Sequence, residues 1–187
     1  KESLTSVRHF GYINLSSKDK PEGWMNIEAL WSRDHPEDEP EVEIDADDPA
    51  TLLYTSGTES LPKGVLSSHL NFYIDVMCAV ADLGVQRSDV VIAGIPFYHV
   101  AAMYLCVSFI CIGATSVLEY APNPREILEL TAREKVTLWV WPPSLYAVLP
   151  HLPDFEKYDL SSLRTCIVFG ALSAPEVLRQ WERLLPD

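Results

Sequence analysis

From residue 50 onward, short apolar segments of strand length alternate with longer segments that have a helical pattern. This alternation is typical of α/β folds, in which helices cross over between neighbouring strands of one sheet. The sequence therefore predicts an α/β domain with a mostly parallel sheet and crossover helices. The strands are expected at residues 50–54, 90–93, 115–118, 136–141 and 163–169.

Capping residues predict where the helices begin and end. Gly84 and Gly113 each follow a helical run, and glycine is the commonest residue just past a helix end. Asn123 is a suitable N-cap, with Pro124 at the first helical position and Glu126 placed to reach back to the cap. The helices are expected from residue 67 or 68 to about 83, over 100–112, from 123 onward and over 175–185.

Acidic residues are concentrated in one segment of this 187-residue chain, whose net charge is −13. Nine of the 27 acidic residues lie at positions 34–48, where there is no lysine or arginine. Like charges with proline rarely pack, so we expect a solvated acidic loop within a variable lead-in, residues 1–49, before the domain at 50–187. An acidic interaction segment is the alternative. The overall acidity argues against a nucleic-acid partner.

Cysteine and histidine spacing indicates neither a disulfide framework nor a metal site. The four cysteines lack C-x-x-C spacing and lie in apolar runs, which predicts buried, reduced thiols in a cytoplasmic protein. The five histidines are scattered without ligand spacing, so no metal site is predicted. The longest apolar stretch, 100–112, is shorter than the ~20 residues of a membrane span, so no transmembrane segment is expected.

The segment 53–65, LYTSGTESLPKGV, has the composition of a phosphate-binding loop. Hydroxyls and free amide N–H groups donate to phosphate oxygens, glycine lets the backbone approach, and Lys63 supplies a positive charge. The segment is not a Walker loop, because Gly64 follows Lys63 where that motif needs Ser or Thr. A plain turn between a strand and a helix is the alternative interpretation.

Thr55-Ser56-Gly57-Thr58 followed by Pro62-Lys63-Gly64 resembles the phosphate loop of the acyl-adenylate-forming superfamily. That superfamily includes acyl- and aryl-CoA ligases, peptide-synthetase adenylation domains and firefly luciferase. The usual loop has Thr-Gly where this chain has Glu59-Ser60. A carboxylate repels phosphates unless a metal lies between them or the side chain turns outward. The resemblance implies that ATP phosphates contact Thr55, Ser56, Gly57, Thr58, Glu59 and Lys63.

The segment Pro96-Phe97-Tyr98-His99-Val100 resembles the Pro-x-Phe/Tyr-His-Val element of acyl- and aryl-CoA ligases. The resemblance implies that His99 lies at the mouth of the carboxylate pocket; a core or capping histidine is the alternative. Peptide-synthetase domains usually have Phe-Asp here, and the Asp pairs with the substrate's amino group. Residues 98–100 contain no acid, which favours a simple carboxylic acid over an amino acid.

Two further segments resemble strand-end elements of the same family. Residues 141–145, WPPSL, resemble the element before a pocket-lining helix, and residues 169–173, FGALS, resemble the Gly-Gly-Ala-type turn. This second resemblance implies that Gly170 and Ala171 flank the acyl group and the adenine. Each segment alone would be an ordinary connection between a strand and a helix. Their order after the phosphate loop makes the two resemblances support each other.

The resemblance implies that the chain is a central fragment of the large, layered N-terminal domain of an acyl-CoA synthetase. The parent is expected to convert a fatty or other acyl acid and ATP, with Mg²⁺, into an acyl-adenylate and to transfer the acyl group to CoA. Elements that the family uses for magnesium, adenine and ribose are not found in residues 50–187. The fragment is therefore expected to be inactive and to self-associate through exposed apolar surface. The alternatives are an enzyme that loads a carrier protein and a nucleotide-binding module without catalysis.

Overall fold

The computed structural model describes residues 10–13, 22–31, 41–55, 61–92, 95–96, 98–119 and 123–185. The chain divides into two compact units, Lys1–Glu43 and Ile44–Asp187. In the first unit, strands β1 (Gly11–Tyr12) and β2 (Met25–Asn26) pair in parallel, and helix α1 (Glu28–Trp31) follows. Residues 41–48 lie exposed and outside helices and strands.

An antiparallel hairpin opens the second unit. Strand β3 (Pro49–Tyr54) pairs with strand β4 (Gly64–Ser68), and Tyr54 lies opposite Gly64. The predicted strand at 50–54 is thus confirmed, but it lies in this hairpin and not in the parallel sheet. Strand β4 was not predicted. Hairpins are signalled by turns of two to five residues, and the loop between these strands is longer.

Helices α2 (His69–Leu83) and α3 (Val100–Ile112) follow the predicted bounds. Ser68 is the N-cap of α2, and its amide donates to the Asn71 side chain at 2.8 Å. Both helices end at a glycine with positive φ, Gly84 at +60° and Gly113 at +80°. These left-handed positions explain why the capping glycines predicted the helix ends correctly.

The described residues of the second unit form a four-stranded parallel sheet of order β6-β5-β7-β8. The predicted α/β class with crossover helices is therefore confirmed. Each described strand of the sheet lies within its predicted segment. The strands predicted at 115–118, 136–141 and 163–169 are shorter than predicted, and residue 93, the predicted end of the strand at 90–93, lies outside the described residues. The strands are β5 (Val90–Ile92), β6 (Thr115–Val117), β7 (Leu138–Trp141) and β8 (Thr165–Val168).

Three further α-helices lie in the described part of the second unit: α4 (Pro124–Glu134), α5 (Pro143–Val148) and α6 (Pro175–Leu184). Asn123 caps α4 as predicted, because its side chain accepts the Arg125 amide at 3.1 Å. The role predicted for Glu126 is taken by Glu119, whose Oε1 accepts the Asn123 amide at 2.9 Å. Glu119 follows β6, so it approaches the cap from the sheet, which sequence spacing within the helix does not indicate.

Residues of β7 alternate between two hydrophobic clusters, as side chains of a strand do. Leu138 and Val140 belong to a cluster with Phe109, whereas Trp139 and Trp141 belong to a second cluster. The second cluster also contains Tyr146, Leu149 and Trp181. The sheet is therefore covered on both faces, which fits a parallel sheet.

A buried ion pair joins the segments that precede three of the parallel strands. Asp89 is 1% exposed, and its carboxylate accepts hydrogen bonds from Arg164, from the Thr137 hydroxyl at 2.7 Å and from the Gln86 amide at 2.9 Å. Burial alone would raise the pKa of Asp89, but these hydrogen bonds, Arg164 first, lower it below its ordinary value. The Asp89 carboxylate is thus charged and hydrogen-bonded at neutral pH.

Two of the four cysteines contradict the expectation of burial. Cys106 is buried and Cys166 half-buried, but Cys78 and Cys111 are exposed, and all four are free thiols. The prediction was wrong for Cys111 because α3 is apolar on every side and does not reveal its outward face. It was wrong for Cys78 because this residue lies at helical spacing from Asp75 and Asp82 on α2, a pattern that the apolar run around it concealed. Burial raises the pKa of Cys166 to about 11, which keeps this thiol protonated at neutral pH.

Helix α2 exposes an apolar stripe at helical spacing. Its members, Leu70, Tyr73, Ile74, Met77 and Val80, are each 39–63% exposed. Self-association through such a surface stays a prediction. Within the described ranges, no helix has both the length and the apolarity that crossing a bilayer requires.

Candidate functional site

A cavity of about 520 Å³ lies where three strands of the parallel sheet end. Ligands of α/β proteins bind in this position, outside the carboxyl ends of parallel strands. The cavity is lined after β5 by Ile95, Pro96 and His99, at β7 by Trp141 and Pro142, after β8 by Phe169, Gly170 and Ala171, and beside them by Pro124, Ser144, Leu145 and Val148. Most of this wall is apolar, so the space suits an organic group.

His99 is both a helix cap and a residue of the cavity wall. Its Nδ1 accepts the Ala101 amide at 3.1 Å at the start of α3. An accepting Nδ1 carries no proton, so the ring proton lies on Nε2 and can be donated to a ligand. His99 is exposed, which leaves this side of the ring accessible. The two interpretations offered by the sequence, a cap and a pocket residue, therefore coexist.

Gly170 forms the turn after β8 with φ of +81°, a region that residues with a Cβ rarely adopt. A Cβ built at this position would have no atom within 4 Å. The glycine is therefore required by the backbone conformation and not by crowding. Ala171 follows it in the cavity wall.

Gly170→Ala is expected to lower the free energy of unfolding by about 1–2 kcal/mol through backbone strain alone. Gly170→Asn is the matched control, because asparagine tolerates left-handed backbone better than alanine does, and its loss should be smaller. Urea unfolding followed by circular dichroism measures both. Equal losses for the two variants would contradict the strain argument.

The base of the predicted phosphate loop is closed by two hydrogen bonds. The Thr55 amide donates to the Lys63 carbonyl at 3.0 Å, and the Lys63 amide donates to the Thr55 hydroxyl oxygen at 3.1 Å. Both residues are exposed at the end of the β3–β4 hairpin. The four other predicted phosphate ligands lie outside the described residues: Ser56, Gly57, Thr58 and Glu59.

The predicted site residues thus form two groups. His99, Gly170 and Ala171 line one cavity, and Thr55 and Lys63, which bond to each other, are not among its lining residues. Sequence reasoning did not assign Pro124 to the cavity, because its signal was that of a helix start. Among the described residues, no three His, Cys, Asp or Glu side chains are grouped to hold a metal ion.

Comparison with known proteins relates the chain to adenylating ligases. A family profile described as AMP-binding enzyme matches residues 5–187. The long-chain-fatty-acid–CoA ligase of Bacillus subtilis (strain 168) is 33% identical over 152 residues, which are 80% of this chain and 26% of that protein. The 4-coumarate–CoA ligase 2 of Nicotiana tabacum is 32% identical over 179 residues, 90% of this chain and 32% of that protein.

The inhibitor-bound crystal structure of the N-terminal domain of FACL13 from Mycobacterium tuberculosis shares the fold. It superposes with a TM-score of 0.80 and 24% identity, over 90% of this chain and 44% of that one. The fold of this chain is therefore that of part of such an N-terminal domain. The chain spans about a quarter to a third of the length of the curated relatives it matches.

Proposed function

The chain belongs to the AMP-binding enzyme family, and from this premise we propose that the complete polypeptide encoded by its gene activates a carboxylic acid with ATP and transfers the acyl group to CoA. A carboxylate is a poor electrophile. One carboxylate oxygen bonds to the α-phosphorus of ATP, and the bond to pyrophosphate breaks. The CoA thiol then loses its proton and bonds to the acyl carbon, and AMP leaves with the electron pair of the broken bond.

The observation that carries this proposal is the cavity at the sheet edge with His99, Gly170 and Ala171 in its wall. An apolar space of this volume accommodates the organic part of a small acid. The Nε2 proton of His99 is available to donate to a carboxylate oxygen at the cavity mouth. These residues would hold the acid, and the loop that begins at Thr55 and ends at Lys63 would hold the phosphates.

The acid is proposed to be a simple carboxylic acid, fatty or aromatic. Relatives named for a long-chain fatty acid and for 4-coumarate both lie at 32–33% identity, so their names do not choose between these classes. Residues 98–100 carry no acidic side chain that would pair with the ammonium group of an amino acid. Mg²⁺ is proposed to accompany ATP, and the described residues supply no cluster of ligands to which it could be assigned.

The test is exchange of labelled pyrophosphate into ATP by the complete polypeptide, with and without added carboxylic acids. Exchange that depends on an acid is expected, because pyrophosphate re-enters ATP only by reversal of adenylation. Adding CoA and then a phosphopantetheine-bearing carrier protein identifies the acceptor. ATP binding without exchange for any acid would instead support the non-catalytic module.

Glu59→Thr is expected to leave ATP affinity equal or better. The substitution restores the usual loop composition and removes a negative charge that repels phosphates. Glu43→Thr removes the same charge from the acidic segment and controls for net charge. Calorimetric titration with ATP measures all three proteins. A clear loss of ATP affinity in Glu59→Thr, but not in Glu43→Thr, would show that the Glu59 carboxylate contributes to ATP binding.

A further inference from the structure

Helix α5 supplies part of the wall of the cavity at the sheet edge, through Ser144, Leu145 and Val148. It is a short helix, and the last four carbonyl groups of any helix have no partner within it. The position of α5 relative to the ends of the parallel strands sets the width of the cavity. The contacts that hold α5 in place therefore bear on which ligand the cavity accepts.

The carbonyl of Tyr146 lacks the partner that a continuing helix would give it. That partner is the amide four residues later, and Pro150 has no N–H. The Leu149 amide does not replace it, because it donates to the Leu145 carbonyl. The indole Nε1 of Trp181, on α6, donates to the Tyr146 carbonyl at 2.8 Å. A residue of α6 thus supplies a hydrogen bond that α5 cannot make within itself.

The Tyr146 side chain joins α5 to the sheet. Its hydroxyl donates to the Ile167 carbonyl of β8 at 3.2 Å, and the residue is only 1% exposed. Burial raises the pKa of Tyr146 above its ordinary value, so the hydroxyl keeps its proton and remains a donor. Two residues after Ile167 the chain enters the cavity wall at Phe169. Tyr146 therefore connects two segments that line the cavity.

The rings of Trp181 and Tyr146 also pack edge to face, with centroids 5.6 Å apart and planes at 82°. Both residues are buried, and neither is among the residues that line the cavity. A ligand in the cavity contacts α5 through its wall residues. The two aromatic residues act on that ligand only through the position of α5.

We propose that Trp181 and Tyr146 are positioning residues for the acid site, because they hold α5 against α6 and β8 and thereby set which acids fit the cavity. This inference rests on the proposed function. Loss of either hydrogen bond lets α5 move away from the ends of the strands, so an acid that filled the cavity loses contact with this wall. Binding of ATP should not depend on either residue, because α5 is not among the segments assigned to the phosphates.

The test measures acid-dependent pyrophosphate exchange by the complete polypeptide, with hexanoate, octanoate, decanoate and cinnamate as probes. For the acid that the unsubstituted protein prefers, Tyr146→Phe and Trp181→Phe are each expected to raise KM about twofold to tenfold, the equivalent of one neutral hydrogen bond. KM for ATP should stay the same. Thr131→Val is the matched control, because it removes the acceptor of Trp139 Nε1 from the same aromatic cluster, and both KM values should stay unchanged.

Pro150→Ala separates the positioning role from a purely structural one. Combined with Trp181→Phe, it gives the Tyr146 carbonyl an amide partner within α5 but does not restore the hydrogen bond to α6. The double variant is therefore expected to regain stability in urea and to keep the raised KM for the acid. Recovery of stability and KM together would overturn the positioning role, because Trp181 would then serve only to satisfy the carbonyl.

A measurement on the unsubstituted protein does not depend on the folding of any variant. Solvent exchange of the Trp181 indole N–H, identified by its contacts with the Tyr146 ring, can be followed by NMR with isotope-labelled indoles. This exchange should slow when the preferred acid is bound, because an occupied cavity holds α5 in place and the two effects are reciprocal. ATP alone should leave the rate unchanged.

The outcomes distinguish the two proposals. Acid-dependent activity with an unchanged acid KM in both variants, or an indole exchange rate that no activated acid alters, overturns the positioning role and leaves the acid-activating function intact. An equal rise in KM for ATP and for the acid also overturns it, because the two residues would then support the whole domain and not the acid site. If the unsubstituted protein exchanges pyrophosphate with no acid, both proposals fail.

Discussion

Replacing Asp89 with asparagine is expected to lower the free energy of unfolding by about 3 kcal/mol. Asp89 is buried, and its loss of charge leaves the Arg164 guanidinium and the Thr137 hydroxyl with a weaker acceptor. Removing one partner of a buried pair costs about 3–5 kcal/mol, and the lower end applies because the Arg164 side chain is 34% exposed. Urea unfolding gives the value directly.

Asp159→Asn is the matched control for that experiment. Asp159 also pairs with a cation, Lys135 at 2.7 Å, but both side chains are more than half exposed. Exposed ion pairs contribute little, so this variant should unfold almost like the unsubstituted protein. Similar losses in both variants would show that burial of Asp89 does not decide its contribution.

The pH dependence gives the Asp89 prediction a second readout. Burial raises the pKa of Asp89, but the hydrogen bonds to its carboxylate outweigh burial and hold the pKa in the folded protein below the unfolded value of about 3.9. The charged carboxylate therefore stabilises the fold fully above that unfolded value, and the contribution is lost as pH falls through the lower, folded pKa. Asp89→Asn should accordingly show a flatter decline of stability below about pH 4. If the decline of stability at acidic pH were the same with and without Asp89→Asn, the lowered pKa assigned to Asp89 would be contradicted.

Lys63→Ala should reduce ATP affinity or adenylation in the complete polypeptide by about tenfold or more. A charge-assisted hydrogen bond to phosphate contributes about 1.5–3 kcal/mol. Lys63 closes the loop base through its amide and carbonyl, and alanine keeps both of these groups. The fold should therefore be unaffected, and the loss should appear in ATP titration and in pyrophosphate exchange.

Lys157→Ala makes the same chemical change at an exposed lysine that pairs with Asp154 and lines neither candidate site. It is expected to adenylate like the unsubstituted protein. If Lys63→Ala also retained full activity, the assignment of residues 53–65 as the phosphate loop would be wrong.

Local signals explain which parts of the fold could be predicted. The capping residues act on the backbone within one helix turn, so a short window of sequence is enough to predict their effects; they are Gly84, Gly113 and Asn123. The parallel strands could also be predicted from local sequence, because burial on both faces of the sheet produces continuous apolar runs. Strand β4 was missed because its partner lies across a long loop, and pairing at that distance leaves no local pattern.

The residues of the candidate site also divide into those that local sequence identifies and those that depend on the tertiary fold. His99, Gly170 and Ala171 were identified by motifs that stand at strand ends, and the parallel topology brings those ends to one cavity. The contribution of Pro124 depends on which strands are neighbours and on what surrounds its side chain. That property is not encoded in the order of residues along one element.

The Asp89 ion pair also constrains the order of events while the chain is being synthesised. Asp89 is translated before β5, yet Thr137 and Arg164 follow it by 48 and 75 residues. The pair can form only after Arg164 has been synthesised, and a contact between residues so far apart in sequence is slow to form. Unfinished chains expose apolar segments such as Val91 and Ile92, which are fully buried in the finished fold.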